Sequence, residues 1–237
     1  MFFTCTASNH DFCSHGSDIN PAQSLHDAVE MASLSNTTKT LKSAKKSKPT
    51  ASVKTTAKTV KTAGGKRFHV DMHCHYQNNE VAAMAAPLHP FQKEPSIIYA
   101  NQMTREVNMK QMKDRANKLS DIATRLKDMD RMGIDMQVVS PSPSQYYYYA
   151  EADFGLELSR KSNDRIAEIV ASTPDRFSGM CTVPLQNPKM AVKELERCVK
   201  KLGMRGVEIC TNVNGIDLAD KRLGLDKFFS KAEELGV

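Results

Sequence analysis

An alternation of apolar and polar residues begins at Phe68 and is the first clear pattern in the chain. Phe68, Val70 and Met72 are apolar, and each is followed by a polar residue. A period of two is typical of a strand with one apolar and one polar face. We therefore predict a first strand from Phe68 onward, with His73 close to its end.

Helical and extended segments then alternate up to residue 237. Apolar residues at helical spacing predict helices at 103–118, 120–133, 154–171, 187–203 and 225–235. Strands are predicted at 134–139, 177–183 and 207–210. Ser120 is the predicted N-cap of the second helix and Asn187 that of the fourth, while Gly133 should end the second. Residues 76–102, which contain three prolines, are predicted to be largely loop.

This order predicts an α/β fold with a parallel sheet, because helices that connect successive strands form right-handed crossovers. The pattern fits either half of a (β/α)8 barrel or a small doubly wound sheet. A complete barrel needs about 250 residues. Only 170 of the 237 residues follow Arg67.

The charge of the chain is concentrated before this α/β region. Residues 1–67 contain ten Lys or Arg and four Asp or Glu, which accounts for the whole net charge of +6. Residues 33–66 have no acidic and no aromatic residue, so we predict a disordered arm over residues 1–67. Without interleaved aromatic residues a nucleic-acid partner is disfavoured, although a non-catalytic protein that binds through this basic arm stays an alternative.

Cysteine usage and hydropathy indicate the compartment. The six cysteines are far apart and no apolar signal segment precedes them, so a disulfide framework is not expected. No apolar run approaches the ~20 residues of a membrane helix. We therefore predict a cytoplasmic protein without a membrane partner.

The sequence Asp71-Met72-His73-Cys74-His75 carries the main candidate chemistry. Histidines at i and i+2 of a strand point to the same side, with Cα atoms about 7 Å apart, so both imidazoles can reach one metal ion. The same tripeptide also occurs on exposed strands that bind nothing. No histidine follows His89, and the later aspartates fit caps or turns, so the site looks incomplete.

Five later segments make a family resemblance specific. They are residues 125–140, 174–179, 183–188, 191–199 and 211–215. Together with the strand that carries His73 and His75, they resemble the aminocarboxymuconate-semialdehyde decarboxylases of the amidohydrolase superfamily (amidohydrolase-related family 2). The resemblance runs from about residue 68 to residue 237.

The resemblance implies a distorted (β/α)8 barrel with one divalent metal ion, usually zinc, and non-oxidative decarboxylation of a small unsaturated or aromatic carboxylic acid. A metal-dependent hydrolase of the same superfamily is the alternative. Of the family's metal ligands, only the pair carries over, onto His73 and His75. A fifth-strand His, an acid/base His and a late Asp are expected beyond Val237. We therefore expect a barrel truncated after about four β/α units and inactive alone, and we assign no catalytic residue.

Arg115 is the candidate substrate-binding residue, because a guanidinium group can bind a carboxylate through two hydrogen bonds. The alternative is an ordinary Arg on a helix surface. The expected partner is the small carboxylic acid substrate. A homodimer stays open.

Overall fold

The structure of the chain, a computed structural model, describes residues 67–237 apart from the side chains of residues 95 and 96. The predicted arm over residues 1–67 thus lies outside the described residues, with the exception of Arg67, and it stays a prediction.

Four strands form the main sheet of the described region, in the order β1, β2, β3, β4. They are β1 (Val70–Tyr76), β2 (Met136–Pro141), β3 (Phe177–Cys181) and β4 (Gly206–Val207). All neighbouring strands are parallel, and helices lie in each connection between them. The predicted α/β class is confirmed, and the sequential strand order is that of a partial (β/α) barrel.

Eight α-helices lie within the described residues. They are α1 (Asn79–Ala85), α2 (Pro90–Lys93), α3 (Pro95–Ile98), α4 (Gln102–Ser120), α5 (Ile122–Met132), α6 (Ala152–Ser172), α7 (Pro188–Leu202) and α8 (Asp226–Leu235). Short 3-10 turns lie at Ala86–Leu88, Pro143–Gln145 and Lys221–Leu223. The five predicted helices are confirmed to within two residues at every end. The segment predicted as loop contains α1 to α3. The side chain of Asn78 caps α1, and prolines at the first positions of α2 and α3 start these short helices rather than prevent them.

The N-cap predicted for α5 was wrong by one residue. Asp121 caps this helix, because its carboxylate accepts a hydrogen bond from the amide of Thr124. Ser120 instead ends α4, and its hydroxyl donates to the carbonyl of Ala116 at 2.8 Å. The predicted end at Gly133 is confirmed, with φ 69° in the left-handed region.

Strand β4 ends at Val207, before the predicted end at Cys210, and a hairpin follows it. Its strands are β5 (Asn212–Val213) and β6 (Ile216–Asp217), which pair antiparallel. The two connecting residues, Asn214 and Gly215, have φ values of 51° and 82°. Two positive φ values are what a type I′ hairpin turn requires, and Asn-Gly is its preferred sequence.

The core lies between the sheet and the helices α5 to α8. Its largest fully buried side chains include Met129, Ile166, Phe177, Leu195 and Phe228. Strand β2, at the centre of the sheet, is buried from its second residue onward. Strand β1 is an edge of the sheet, and there Val70 and Met72 are 42% and 66% exposed, as the open edge of a partial barrel predicts.

Within residues 67–237, no helix combines the length and the apolar character needed to cross a membrane.

Candidate metal centre

The two predicted metal ligands lie in the second half of β1. This strand pairs with β2, where Asp71 is opposite Gln137 and Cys74 is opposite Val139. Three steps along β1 therefore match two steps along β2, so one extra residue is accommodated as a β-bulge next to His73. Bulges redirect side chains and are frequent beside functional sites.

The imidazoles of His73 and His75 are directed at each other. Their Nε2 atoms are 2.9 Å apart, and the rings meet edge to face with centroids 4.7 Å apart. A third donor, Glu208, lies with its Oε2 atom 3.7 Å from Nδ1 of His75. One donor atom from each of the three residues lies within 4.8 Å of the other two.

Glu208 directly follows β4, at the edge of the sheet opposite to β1. On a flat sheet, strands separated by three spacings of about 4.8 Å lie about 14 Å apart, and their side chains point in parallel. The contact between His75 and Glu208 therefore requires a curved sheet, with both residues on its concave side. This is the strand end at which barrel enzymes place their active sites.

The environment of His75 favours a neutral imidazole. Burial lowers the pKa of His75, and the charges of His73 and Arg125 lower it further, while the carboxylate of Glu208 acts in the opposite direction. Metal ligation needs a deprotonated nitrogen, so a lowered pKa suits this role at neutral pH. The set of two imidazole nitrogens and one carboxylate oxygen fits a divalent transition-metal ion.

Polar groups from β2 and the following loop surround the cluster. The hydroxyl of Ser140 lies 3.2 Å from Nδ1 of His75 and 3.5 Å from the carbonyl of Cys74. Tyr146 is 3% exposed, and burial, followed by the charge of Glu208, raises its pKa. The phenol therefore stays protonated, next to the carboxylate.

The structure does not bring Arg115 into this cluster. Arg115 is exposed on α4, and within residues 67–237 it has no hydrogen bond or ion pair with His73, His75 or Glu208. Sequence reasoning missed Glu208, because only aspartates were considered as later ligands. A polar residue directly after a strand of a parallel sheet lies at the active-site end, but the strand predicted at 207–210 included Glu208 and so concealed this signal.

Comparison with known proteins places the chain in a family. The model of the amidohydrolase family matches residues 70–237, which is most of the chain. The chain belongs to the amidohydrolase family. The curated relatives agree with this assignment. The 2-amino-3-carboxymuconate-6-semialdehyde decarboxylase of Dictyostelium discoideum is 36% identical over 117 residues, which are 49% of this chain and 32% of that protein. The gamma-resorcylate decarboxylase of Polaromonas sp. is 36% identical over 118 residues, 49% of this chain and 35% of that protein.

Solved structures show the same fold. The 5-carboxyvanillate decarboxylase of Sphingomonas paucimobilis has 26% identity and a TM-score of 0.60, over 72% of this chain and 50% of that one. A dihydroxybenzoic acid decarboxylase of Polaromonas sp., with bound manganese and the inhibitor 2-nitroresorcinol, has 25% identity and a TM-score of 0.54, over 73% and 48%. The chain thus spans about a third of these curated relatives and about half of these solved ones. The predicted family and barrel fold are confirmed.

Proposed function

We propose that residues 70–237 supply a divalent-metal site to a decarboxylase that acts on a small aromatic or unsaturated carboxylic acid. The observation that carries this proposal is the convergence of His73, His75 and Glu208 at the carboxyl ends of β1 and β4. Relatives named as decarboxylases support the reaction class. The metal-dependent hydrolase stays an alternative.

In this proposal the two histidines hold the ion through their Nε2 atoms, which already face one another. Glu208 supplies a carboxylate oxygen, either as a third ligand or as the acceptor that orients the imidazole of His75. A bound divalent ion supplies a Lewis acid for a substrate oxygen. Zinc stays the predicted ion, with manganese as the alternative, because a solved relative contains manganese.

The experiment that tests this site is the metal content of the purified full chain. We expect about one zinc or manganese ion per chain in the wild type and none in the variant His73→Ala/His75→Ala, because two ligands are lost. His69→Ala is the matched control, since His69 lies just before the same strand at its other end. Equal metal content in all three proteins would refute the proposed site.

Arg115 stays the proposed substrate-binding residue. It lies one helical turn before Leu119, whose carbonyl accepts a hydrogen bond from the amide of Gln77, directly after β1. We expect Arg115→Gln to weaken binding of 2,6-dihydroxybenzoate to the metal-loaded chain about tenfold, as for the loss of one charge-assisted hydrogen bond. Calorimetric titration measures this. The control is Lys110→Gln, which is also exposed on α4. If both changes weaken binding equally, Arg115 contributes only through its charge and is not a specific substrate-binding residue.

A reducing compartment is part of the proposal, and the cytoplasm stays the predicted one. All four cysteines of the described region are free, and Cys74, Cys181 and Cys198 are buried. Free buried thiols are usual in reducing compartments. The homodimer also stays a prediction.

A further inference from the structure

A chain of hydrogen bonds behind the metal cluster connects both histidines to a buried arginine. It begins at the bulge in β1, where the amide of His73 donates to the Asp71 carboxylate at 3.2 Å. A bulge removes an amide from the strand ladder, and here a side chain accepts from it. The position of His73 therefore depends on where the carboxylate of Asp71 is held.

Gln137 on β2 holds that carboxylate. Its side-chain amide donates to Oδ2 of Asp71 at 3.1 Å, while its carbonyl oxygen accepts from Nη1 of Arg125 at 3.2 Å. Gln137 is 5% exposed and Arg125 is 7% exposed. The side-chain amide of Gln137 thus accepts a hydrogen bond from the buried guanidinium group and donates one to the carboxylate at the bulge.

Arg125 also contacts the second histidine directly. Its Nη2 atom donates to the main-chain carbonyl of His75 at 2.6 Å, and more weakly to the carbonyl of Leu119 at 3.5 Å. One nitrogen of the guanidinium group therefore contacts His75 directly. The other is linked to His73 through Gln137 and Asp71.

A buried cation is costly to keep in a core, and an apolar side chain of similar size often gives at least equal stability. Within the described residues, Nε of Arg125 has no hydrogen-bond partner, so the site is not optimised for this side chain as a whole. The two nitrogens that do have partners are those that reach the histidine strand and its link. The hydrogen bonds of Arg125 therefore support the second half of β1.

We infer that Arg125 is a positioning residue for the metal site: through Gln137, Asp71 and the carbonyl of His75 it holds the two imidazoles at ligand spacing. This inference rests on the proposed metal-binding function. Arg125 contacts neither imidazole ring, so its effect on metal binding is indirect.

The test compares Arg125→Lys with Arg176→Lys in the full chain. A Lys ammonium group is a single point donor and cannot reproduce the forked contacts of the guanidinium group. Arg176 is the matched control, because it also donates to two main-chain carbonyls, those of Asp135 and Ile134, near the opposite end of β2. Gln137→Leu removes the link to Asp71 and leaves Arg125 in place.

Two measurements are made on each variant: the dissociation constant for Mn²⁺ or Zn²⁺ by calorimetry, and the hydrogen-exchange rate of the His73 amide by NMR. We expect Arg125→Lys and Gln137→Leu to weaken metal binding by about 10- to 100-fold, the range seen when groups that orient metal ligands are removed. The His73 amide should exchange faster in both variants. Arg176→Lys should change neither quantity, although its fold must remain intact by circular dichroism.

Unchanged affinity and unchanged exchange in folded Arg125→Lys and Gln137→Leu would overturn the inference, as would equal losses in Arg176→Lys. If Arg125→Lys does not fold, Gln137→Leu decides the question alone. The two proposals fail differently. No metal bound by the wild type would refute the proposed function, while faster exchange of the His73 amide only in the Arg125 and Gln137 variants would still support the positioning role.

Discussion

A histidine lies beside a carboxylate near each end of β1, and the two pairs differ in what surrounds them. At the carboxyl end, Nδ1 of His75 lies 3.7 Å from Glu208, and at the amino end, Nδ1 of His69 lies 3.8 Å from Asp135. The two distances are almost equal. A histidine beside a carboxylate therefore does not by itself make a metal site.

The difference lies in the second imidazole and in burial. The His69 side chain is 58% exposed, against 24% for His75. The carboxylate of Asp135 already accepts a hydrogen bond from the amide of His69, at 2.8 Å. At the carboxyl end, His73 adds a second nitrogen, and Arg125 supports the strand from behind. The amino end thus has a structural contact between the start of β1 and the residue before β2, whereas the carboxyl end has three donor atoms within reach of one ion.

The amino end does have an open cavity of about 390 Å³. Its lining includes Asp130, Asp135 and Asp175, together with Arg176, which forms a 2.8 Å ion pair with Asp130. This end of a (β/α) barrel generally serves stability rather than catalysis. This cavity at the amino end is therefore weaker evidence for function than the cluster of His73, His75 and Glu208 at the carboxyl end.

The largest effect that separates the two ends is expected from their carboxylates. We expect Glu208→Gln to weaken Mn²⁺ or Zn²⁺ binding by more than about 10-fold, because the site loses a negative charge and an oxygen ligand or orienting acceptor. Asp135→Asn, the matched change at the amino end, should leave the affinity unchanged. Calorimetric titration of both variants measures these affinities. Equal affinities would show that Glu208 does not contribute to metal binding.

The sequence predicted the helices and strands that are long enough to show a regular spacing of buried apolar residues. Helix α7 has one apolar stripe, begins after Asn187 and ends at Gly203, so both its type and its ends were predictable. Short elements were not predictable in this way. The Pro-started helices α2 and α3 have only four residues each, too few for a period to appear.

The site could be predicted only in part, for a geometric reason. His73 and His75 are neighbours in sequence, so strand periodicity brings them together. Glu208 is more than 130 positions away from both, and its approach depends on the curvature of a four-stranded sheet, which no local pattern contains. The role inferred for Arg125 was hidden for a similar reason, because a cation within an amphipathic helix looks like a surface residue until its burial is known.

A smaller effect, on stability and not on metal binding, is expected from substitutions at the two ends of α5. Neither substituted residue is a proposed metal ligand. Asp121 caps the start of this helix, on the side of the sheet where β1 ends, and Gly133 ends it near the start of β2. Gly133 has φ 69°, and an added Cβ would meet nothing within 4 Å, so only the backbone conformation opposes a side chain there. We expect Asp121→Ala and Gly133→Ala each to lower the free energy of unfolding by about 1 kcal/mol at neutral pH.

The two losses should respond differently to acid. Hydrogen bonds from Thr124 lower the pKa of Asp121 below its usual 3.8. The cap therefore stabilises the fold above pH 3.8, and its contribution is lost as the pH falls through the lower folded-state value. Urea unfolding at about pH 7 and about pH 3 should show the Asp121→Ala deficit shrinking while the Gly133→Ala deficit persists, because backbone strain does not titrate. Metal affinity should be unchanged in both variants. A stability deficit of Asp121→Ala that is independent of pH would mean that the Asp121 side chain stabilises α5 by packing rather than by its charged cap.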